Sequence, residues 1–391
     1  MKKIILMFTA ILFIHISSFA QNVRIIHGPY LQAIDETEVT IVWVTDKNAV
    51  SWVEVAPAGN DSFYGAQRPQ YYETRNGNRV VGKLHKIHIP NLSKGTGYRY
   101  RVFSREVLEY EGQHRVLYGN VASTNVYSRK PLRFTTLDGA KPEMSFVVLN
   151  DIHSRLDDFN ALSKNIEYGK TDFVIFNGDM VSSMIDEQQF FSGFMDDAVK
   201  LFASEVPMFF ARGNHETRGK FSVSFPDYFP TPTGRLYYAF SHGNVRFIVL
   251  DAGEDKPDSD VEYSGLAQFD AYRTEQQDWL RMELESDDFK KAVYRVVVIH
   301  IPPLGSDWHG PLDVKKKFLP LLNNQGITVM LCGHTHRYQY IEPDGENLGF
   351  PILINAQNSN LEVVVGSNGM MIKRNDVDGK ELNSFSFKPM K

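Results

Sequence analysis

Seven potential metal donors, Asp151, His153, Asp179, Asn214, His300, His334 and His336, fall in five short segments of this 391-residue chain. The segments are Asp151-Ile152-His153, Gly178-Asp179, Gly213-Asn214-His215-Glu216, His300 and Gly333-His334-Thr335-His336. Their donors are carboxylate, amide and imidazole, without thiolate. That set suits Zn²⁺, Mn²⁺ or Fe and disfavours a cysteine-based structural zinc site. Seven donors are too many for one ion with an open coordination position. They suit two ions that share a bridging carboxylate, and Asp179, in a tight turn opened by Gly178, can bridge. Two ions about 3.5–4 Å apart lower the pKa of a water between them and clamp both oxygens of an in-line displacement at phosphorus. The chemistry expected is therefore metal-assisted phosphoester hydrolysis. Each segment alone is a weak signal. Their order and common context carry the reading, as does the gathering of five of twelve histidines into them.

That context is a set of short apolar runs. Phe146–Leu149 leads into Asp151, Phe173–Phe176 into Gly178-Asp179, and Val206–Phe210 toward Gly213. Val296–Ile299 ends at His300, and Ile327–Cys332 ends at Gly333. An apolar run closed by a turn signal predicts a buried strand. Every donor is thus expected at a strand's carboxyl end, where open α/β sheets build their sites. Gly178, Gly213 and Gly333 permit the sharp turns. His334 and His336, two apart, point the same way on extended backbone. Helices are expected over Leu156–Tyr168 and Glu187–Phe202. Another is expected after a capping box at Thr274-Glu275-Gln276-Gln277, and a short one over Val314–Leu319, closed by Pro320.

The chain before these motifs reads as all-β. Strands are expected at Val39–Thr45, Trp52–Ala56, Leu84–Ile89, Tyr98–Ser104 and Leu132–Thr136. Turns at Asp46-Lys47-Asn48, Asn76-Gly77-Asn78 and Ser93-Lys94-Gly95 separate them, which predicts a β-sandwich. Leu137–Pro142 looks like a linker. The expected organisation is a leader (1–20), a β-sandwich (21–137), a catalytic α/β domain (143–358) and a C-terminal strand segment (359–391), with a hairpin turn at Asn375–Gly379.

Residues 1–20 have the form of a secretory signal peptide: Lys2-Lys3, an apolar stretch from Ile4 to Ile14, then Ser18-Phe19-Ala20. The stretch is shorter than the roughly 20 residues that span a bilayer. A periplasmic or secreted protein without a transmembrane segment is expected. Cys332 is the single cysteine, so no intrachain disulfide forms, which suits a bacterial exterior. The formal charge is −5 without a dense basic block, so no nucleic-acid duplex is expected as a partner. A small phosphorylated substrate is. Oligomeric state cannot be read from the sequence.

The five segments, in this order, resemble the calcineurin-like metallophosphoesterase family. The opening Gly28-Pro29-Tyr30-Leu31-Gln32 and the β-rich region resemble the N-terminal domain of purple acid phosphatases, a fibronectin type III-like module in which Tyr98 would be a corner tyrosine and Trp43 the core aromatic. The resemblance implies a four-layer α/β/β/α sandwich. It also implies ligand sets: Asp151, His153, Asp179 and His336 for one ion, and Asp179, Asn214, His300 and His334 for the other. A metal-bridging hydroxide would attack phosphorus. His215 would not be a ligand but would stabilise the developing charge and protonate the leaving oxygen. The two ions could be divalent or mixed-valence Mn, Zn or Fe. True purple acid phosphatases have glycine where this chain has His153, and a tyrosine ligand where it has Ser182, so ferric iron is not implied. Arg155, Arg212, Asn177 and Arg218 are candidates to hold a phosphate, or else structural residues, and Glu216 could touch substrate, orient His215 or merely accept backbone hydrogen bonds. Asp307-Trp308-His309 could line the mouth, although a packed tryptophan is the plainer reading. The function expected is phosphate monoester hydrolysis. The alternatives are a phosphodiesterase or nucleotidase of the same fold, and a non-catalytic surface binding protein.

Overall fold

The computed structural model describes residues 22–389 except 113 and 125–128. The expected leader lies outside the described residues. Among them, no helix is long and apolar enough to cross a membrane.

The N-terminal region is a β-rich unit in which, beside a small hairpin of Thr74–Arg75 and Asn78–Arg79, seven strands are hydrogen-bonded into one curled antiparallel sheet. The reason is a single 19-residue strand, Val39–Pro57. Its first half pairs with Gly82–Ile89 and its second with Gly97–Tyr110. The segment Asp46-Lys47-Asn48, expected as a turn, is a register irregularity inside that strand. The alternation resumes on the far side, so two expected strands are one. Trp43 is fully buried and donates from Nε1 to Ser104 Oγ at 2.8 Å. The Tyr98 hydroxyl accepts from the Ser93 N–H at 2.8 Å, as a corner tyrosine does.

The second region stacks two mixed sheets. One runs in the order Met208–Ala211, Phe173–Asn177, Met144–Leu149, Ser359–Gly366, Gly369–Asp376, Glu381–Phe387. The other runs Tyr238–His242, Val245–Leu250, Tyr294–Ile299, Val329–Cys332, Ile352–Ile354, Gln339–Ile341. Parallel strands buried on both faces must be apolar at consecutive positions, and these are. Phe146, Val148, Phe173 and Ile175 face the second sheet, meeting Phe247, Val249, Val296 and Val298. Their neighbours Val147, Leu149, Val174 and Phe176 face outward, onto Phe159, Phe190, Phe194 and Phe202. On the other side Ile248, Leu250, Val297 and Ile299 pack against Leu280, Leu284 and Phe318. The result is four layers, helix, sheet, sheet, helix. The C-terminal strands extend the first sheet antiparallel to Met144–Leu149.

Two helix signals misled. The helix expected to start at Thr274 runs from Phe269 to Leu284, and Thr274 Oγ1 donates inside it to the Asp270 carbonyl. Pro320 does not close a helix; it sits in the first turn of Leu319–Leu322, where its missing N–H costs nothing.

Candidate metal centre

All seven donors converge where the two sheets' strands end on the same side. Asp151, His153, Asp179 and Asn214 leave the first sheet; His300, His334 and His336 leave the second. Ligand atoms of Asp151, His153, Asp179 and His336 lie within 4.8 Å of one another, and so do those of Asp179, His300 and His334. Asp179 is common to both groups. His153 Nε2 stands 2.8 Å from His336 Nε2, and His300 Nε2 stands 3.0 Å from Asp179 Oδ2. Asn214 joins the second group through its Oδ1, 3.1 Å from His334 Nδ1. These two clusters are consistent with a binuclear site.

The backbone pays for this convergence. Asp151, His153, Asp179, His334 and His336 all have φ between 51° and 71°. Left-handed backbone is rare for non-glycine residues and persists where surroundings enforce it, often at ligand sites. Close approach adds to it. A Cβ on Gly213 would strike Asp179 Oδ1 and N, and one on Gly178 would strike the His300 ring.

Hydrogen bonds leave the right atoms free. The His300 Nδ1–H donates to the Asn177 carbonyl at 2.7 Å, which aims Nε2 at Asp179. Asp151 Oδ2 accepts from the His334 N–H (3.0 Å) and from Asn150 Nδ2 (2.6 Å). Asp151 Oδ1 and His300 Nε2 are buried without a hydrogen-bond partner. Buried polar atoms without a partner are costly, and two in one cluster are what cations would satisfy. The residues present fit a pair of ions.

Electrostatics agree. Burial alone would push the Asp179 carboxyl up, but the charge of His300, its Nε2 3.0 Å away, holds it well below the usual range. Burial pushes His300 down; the nearby Asp179 charge, with that of Asp151, outweighs it and lifts the imidazole to about 10. A proton and an ion therefore compete for the same Nε2. Burial lowers His153 and His334 to about 4, which keeps them neutral and able to ligate. The Asp151 carboxylate, 3.3 Å from Nε2, raises His336.

His215 stands beside the donors, its Nε2 3.9 Å from Asp179 Oδ2. Its Nδ1 lies 2.8 Å from the Ser182 carbonyl, an acceptor only, so Nδ1 carries the proton and donates. Ser182 Oγ in turn donates to the His153 carbonyl at 2.9 Å. The backbone of Ser182 thus orients His215, although its side chain is neither tyrosine nor aspartate. Arg218 NH1 lies 3.1 Å from His215 Nε2. Two bonds of 2.9 and 3.0 Å to the buried Glu254 carboxylate fix that guanidinium.

The remaining candidates separate by position. Glu216 does not reach the cleft. It is buried, and its two oxygens accept from the N–H groups of Asp179 (2.9 Å), Met180 (2.7 Å), Val181 (3.3 Å) and Gly213 (2.9 Å). It ties two donor loops together. Burial and the Asp179 charge push its carboxyl up to about 7, against those four donors. Arg212 is also turned away, its Nε 2.8 Å from Asp251 Oδ2 behind the strand ends. Arg155 holds the Asp151 carbonyl at 2.9 Å and Gln357 at 3.1 Å, outside the cleft. Asn177 serves His300. The open side is a cleft of about 330 Å³, lined by His215, Arg218, His334 and His336, by Trp308, which the sequence offered as a mouth residue, and by residues it did not indicate: Asp255, Lys256 and Glu262. Trp308 is exposed, not packed. Asp251-Ala252 ending the Val245–Leu250 run was the signal that a further loop reaches the site.

Residues 144–338 match the family model described as calcineurin-like phosphoesterase, and residues 27–129 match the purple acid phosphatase N-terminal domain. An uncharacterized protein of Mycobacterium tuberculosis is 26% identical over 382 residues, covering 85% of this chain and 67% of the relative. Human tartrate-resistant acid phosphatase type 5 is 28% identical over 241 residues, covering 54% and 73%. A purple acid phosphatase from yellow lupin (Lupinus luteus) seeds has the same fold, with a TM-score of 0.66 at 16% identity over 92% of this chain and 74% of that one. The chain therefore belongs to the calcineurin-like metallophosphoesterases, carries a purple acid phosphatase N-terminal domain, and is an acid phosphatase-like hydrolase.

Proposed function

We propose that this protein hydrolyses phosphate monoesters at the Asp179-centred site, and that it works in the periplasm or outside the cell after loss of residues 1–20. The observation that carries the first reading is the convergence of seven donors, five of them on left-handed backbone, with two buried ligand atoms left unpartnered. Asp151, His153, Asp179 and His336 would hold one ion, and Asp179, Asn214, His300 and His334 the other. When bound, the pair supplies an activated water and positive charge for the phosphoryl oxygens.

The chain's own residues do the rest. Arg218, fixed by Glu254, presents NH1 to a phosphoryl oxygen at the cleft. His215 keeps Nδ1–H on the Ser182 carbonyl, so its Nε2 is the atom that faces substrate. Protonated there, it donates to the leaving alkoxide and leaves Arg218 for the phosphate. Asn150 and the His334 N–H hold Asp151 so that one carboxylate oxygen stays free. Glu216 keeps the Asp179 and Asn214 loops at a fixed separation.

The test strips the protein from Gln21 onward with chelator, restores Mn²⁺, Zn²⁺ or Fe²⁺ separately, and measures hydrolysis of aryl phosphate mono- and diesters. Metal-restored turnover with the monoester ahead supports the reading. A diester preference replaces it with a phosphodiesterase, and two bound ions without turnover point to a binding protein. His215→Ala should cut turnover by about 10²–10⁴-fold while both ions remain; unchanged turnover, or lost metal, rejects the role given to His215.

A further inference from the structure

Trp308 is the one tryptophan of four that stands exposed, at 52% of its surface; Trp43 is buried, and Trp52 and Trp279 are half-buried. Its backbone is not loose. It occupies the residue just before the His309–Lys317 helix, its N–H donates to Ser306 Oγ at 3.2 Å, and its carbonyl accepts from the Leu312 N–H at 3.1 Å. A firmly held backbone thus presents a large flat apolar ring to water. The position gives that presentation a use. Trp308 lines the metal cleft together with His215, Arg218, Lys256 and His336. On its other side begins a second hollow, of about 480 Å³, walled by Pro303, Leu304, Ser306, Asp307 and Leu312 and ending at Lys315. Leu312 is itself 45% exposed. Lys256, paired with Glu262, places its Nζ 6.0 Å from the centre of the indole ring. Phosphate-binding groups, an exposed π-face and a hollow of mixed polarity therefore adjoin one another.

We propose that Trp308 sets substrate choice, stacking a flat aromatic ring carried by the alcohol side of the phosphate ester. The substrate class is then aromatic phosphate esters, the chemistry that aryl phosphates and nucleotides share. The inference rests on the phosphoesterase reading above. A sugar could also lie on an indole face, and Ser306, Asp307 and Lys315 around the hollow offer it polar partners, so glucose 6-phosphate stands in the test as the rival. Pro303, Leu304 and Leu312 supply apolar contact for a flat ring. Stacking on one aromatic side chain has a free energy that corresponds to about a tenfold change in affinity or more.

The experiment uses the metal-loaded full chain from Gln21 with four substrates: phenyl phosphate, AMP, glycerol phosphate and glucose 6-phosphate. In the wild type, kcat/KM for one or both aromatic esters should exceed that for glycerol phosphate. Trp308→Ala should raise KM for the aromatic esters about tenfold and collapse that ratio, and Trp308→Phe should restore most of it. Loss for AMP alone identifies a nucleotide; equal loss for phenyl phosphate identifies any flat ring. A second readout needs no turnover: AMP should quench the intrinsic fluorescence of the wild type more than that of Trp308→Phe. Equal kcat/KM for all four esters in wild type and Trp308→Ala overturns the inference and leaves the phosphoesterase reading standing. So does a loss confined to glucose 6-phosphate. If no ester is hydrolysed with any metal, the phosphoesterase reading fails, and the quenching comparison still decides whether Trp308 binds an aromatic ring.

Discussion

Replacing Glu216 by glutamine changes one atom of the side chain and should unsettle the whole centre. At pH 8, where the carboxyl is ionised, its two oxygens accept four backbone N–H bonds, two each. In glutamine one oxygen becomes an NH₂. Either orientation leaves two N–H groups pointing at another donor in a site that is 1% exposed. A hydrogen bond to a charged group contributes about 1.5–3 kcal/mol, so losing two costs about 3–6 kcal/mol before relaxation. At roughly 2 °C per kcal/mol for a domain of this size, Tm should fall by about 6–12 °C. The loops that separate belong to Asp179, common to both proposed ions, and Asn214, a donor to one of them, so metal content should fall as well. The assay is thermal unfolding of stripped and reloaded protein, with metal counted by mass spectrometry. Glu216→Gln with wild-type Tm and two tightly held ions would refute the argument that this carboxylate organises the centre.

Three other outcomes are expected. Gly213→Ala should abolish tight binding of at least one ion, because the new Cβ meets Asp179 Oδ1 and N and stands 2.9 Å from Glu216 Oε2; calorimetric titration with Zn²⁺ checks it. Arg218→Lys cannot keep both bonds to Glu254 and reach the cleft, so KM should rise about tenfold for every ester, in steady-state assays across the four substrates. His85 in the N-terminal unit is 2% exposed, and burial lowers its imidazole from 6.5 to about 3. The unfolded chain takes up a proton below pH 6.5 that the folded chain refuses. The stability from neutral His85 is thus present above 6.5 and lost as pH falls toward 3, by up to about 1.4 kcal/mol per pH unit. A pH series of unfolding midpoints should flatten in His85→Gln, and an unaltered slope rejects this.

The donors were legible in the sequence because their surroundings are local. An apolar run, a turn and a polar side chain fit within a few residues, as at Phe173–Asp179. What brings such segments together over long separations was not local, and it came from the resemblance. Where local rules misfired, tertiary pairing had overruled them. Asp46-Lys47-Asn48 has the composition of a turn, yet the strand on either side has partners that keep it extended. Thr274 carries a capping pattern, yet the helix has already begun at Phe269, and Arg273 is buried within it, bonded to Asp270 and Asp313. Which of their possible roles Glu216 and Arg212 take was illegible for another reason. A charged residue beside a motif looks the same whether it faces substrate or the backbone behind it, and here both face inward. Of the cleft's far rim, Trp308 was offered by the sequence, but Asp255, Lys256 and Glu262 lie on a loop whose length and composition carry no periodicity to read.

The left-handed φ values at Asp151, His153, Asp179, His334 and His336 limit how such a centre can change over evolution. Donor chemistry asks for aspartate or histidine, while the backbone tolerates chiefly glycine, asparagine, aspartate and histidine. The intersection is small. Drift at these positions has few exits, and a lineage that gave up an ion would be expected to hold glycine or asparagine there, not alanine or valine. Position 153 illustrates the exchange: the purple acid phosphatase pattern has glycine and this chain has histidine, two residues alike in little except the conformation they accept. A ligand could be gained or lost there without moving the chain.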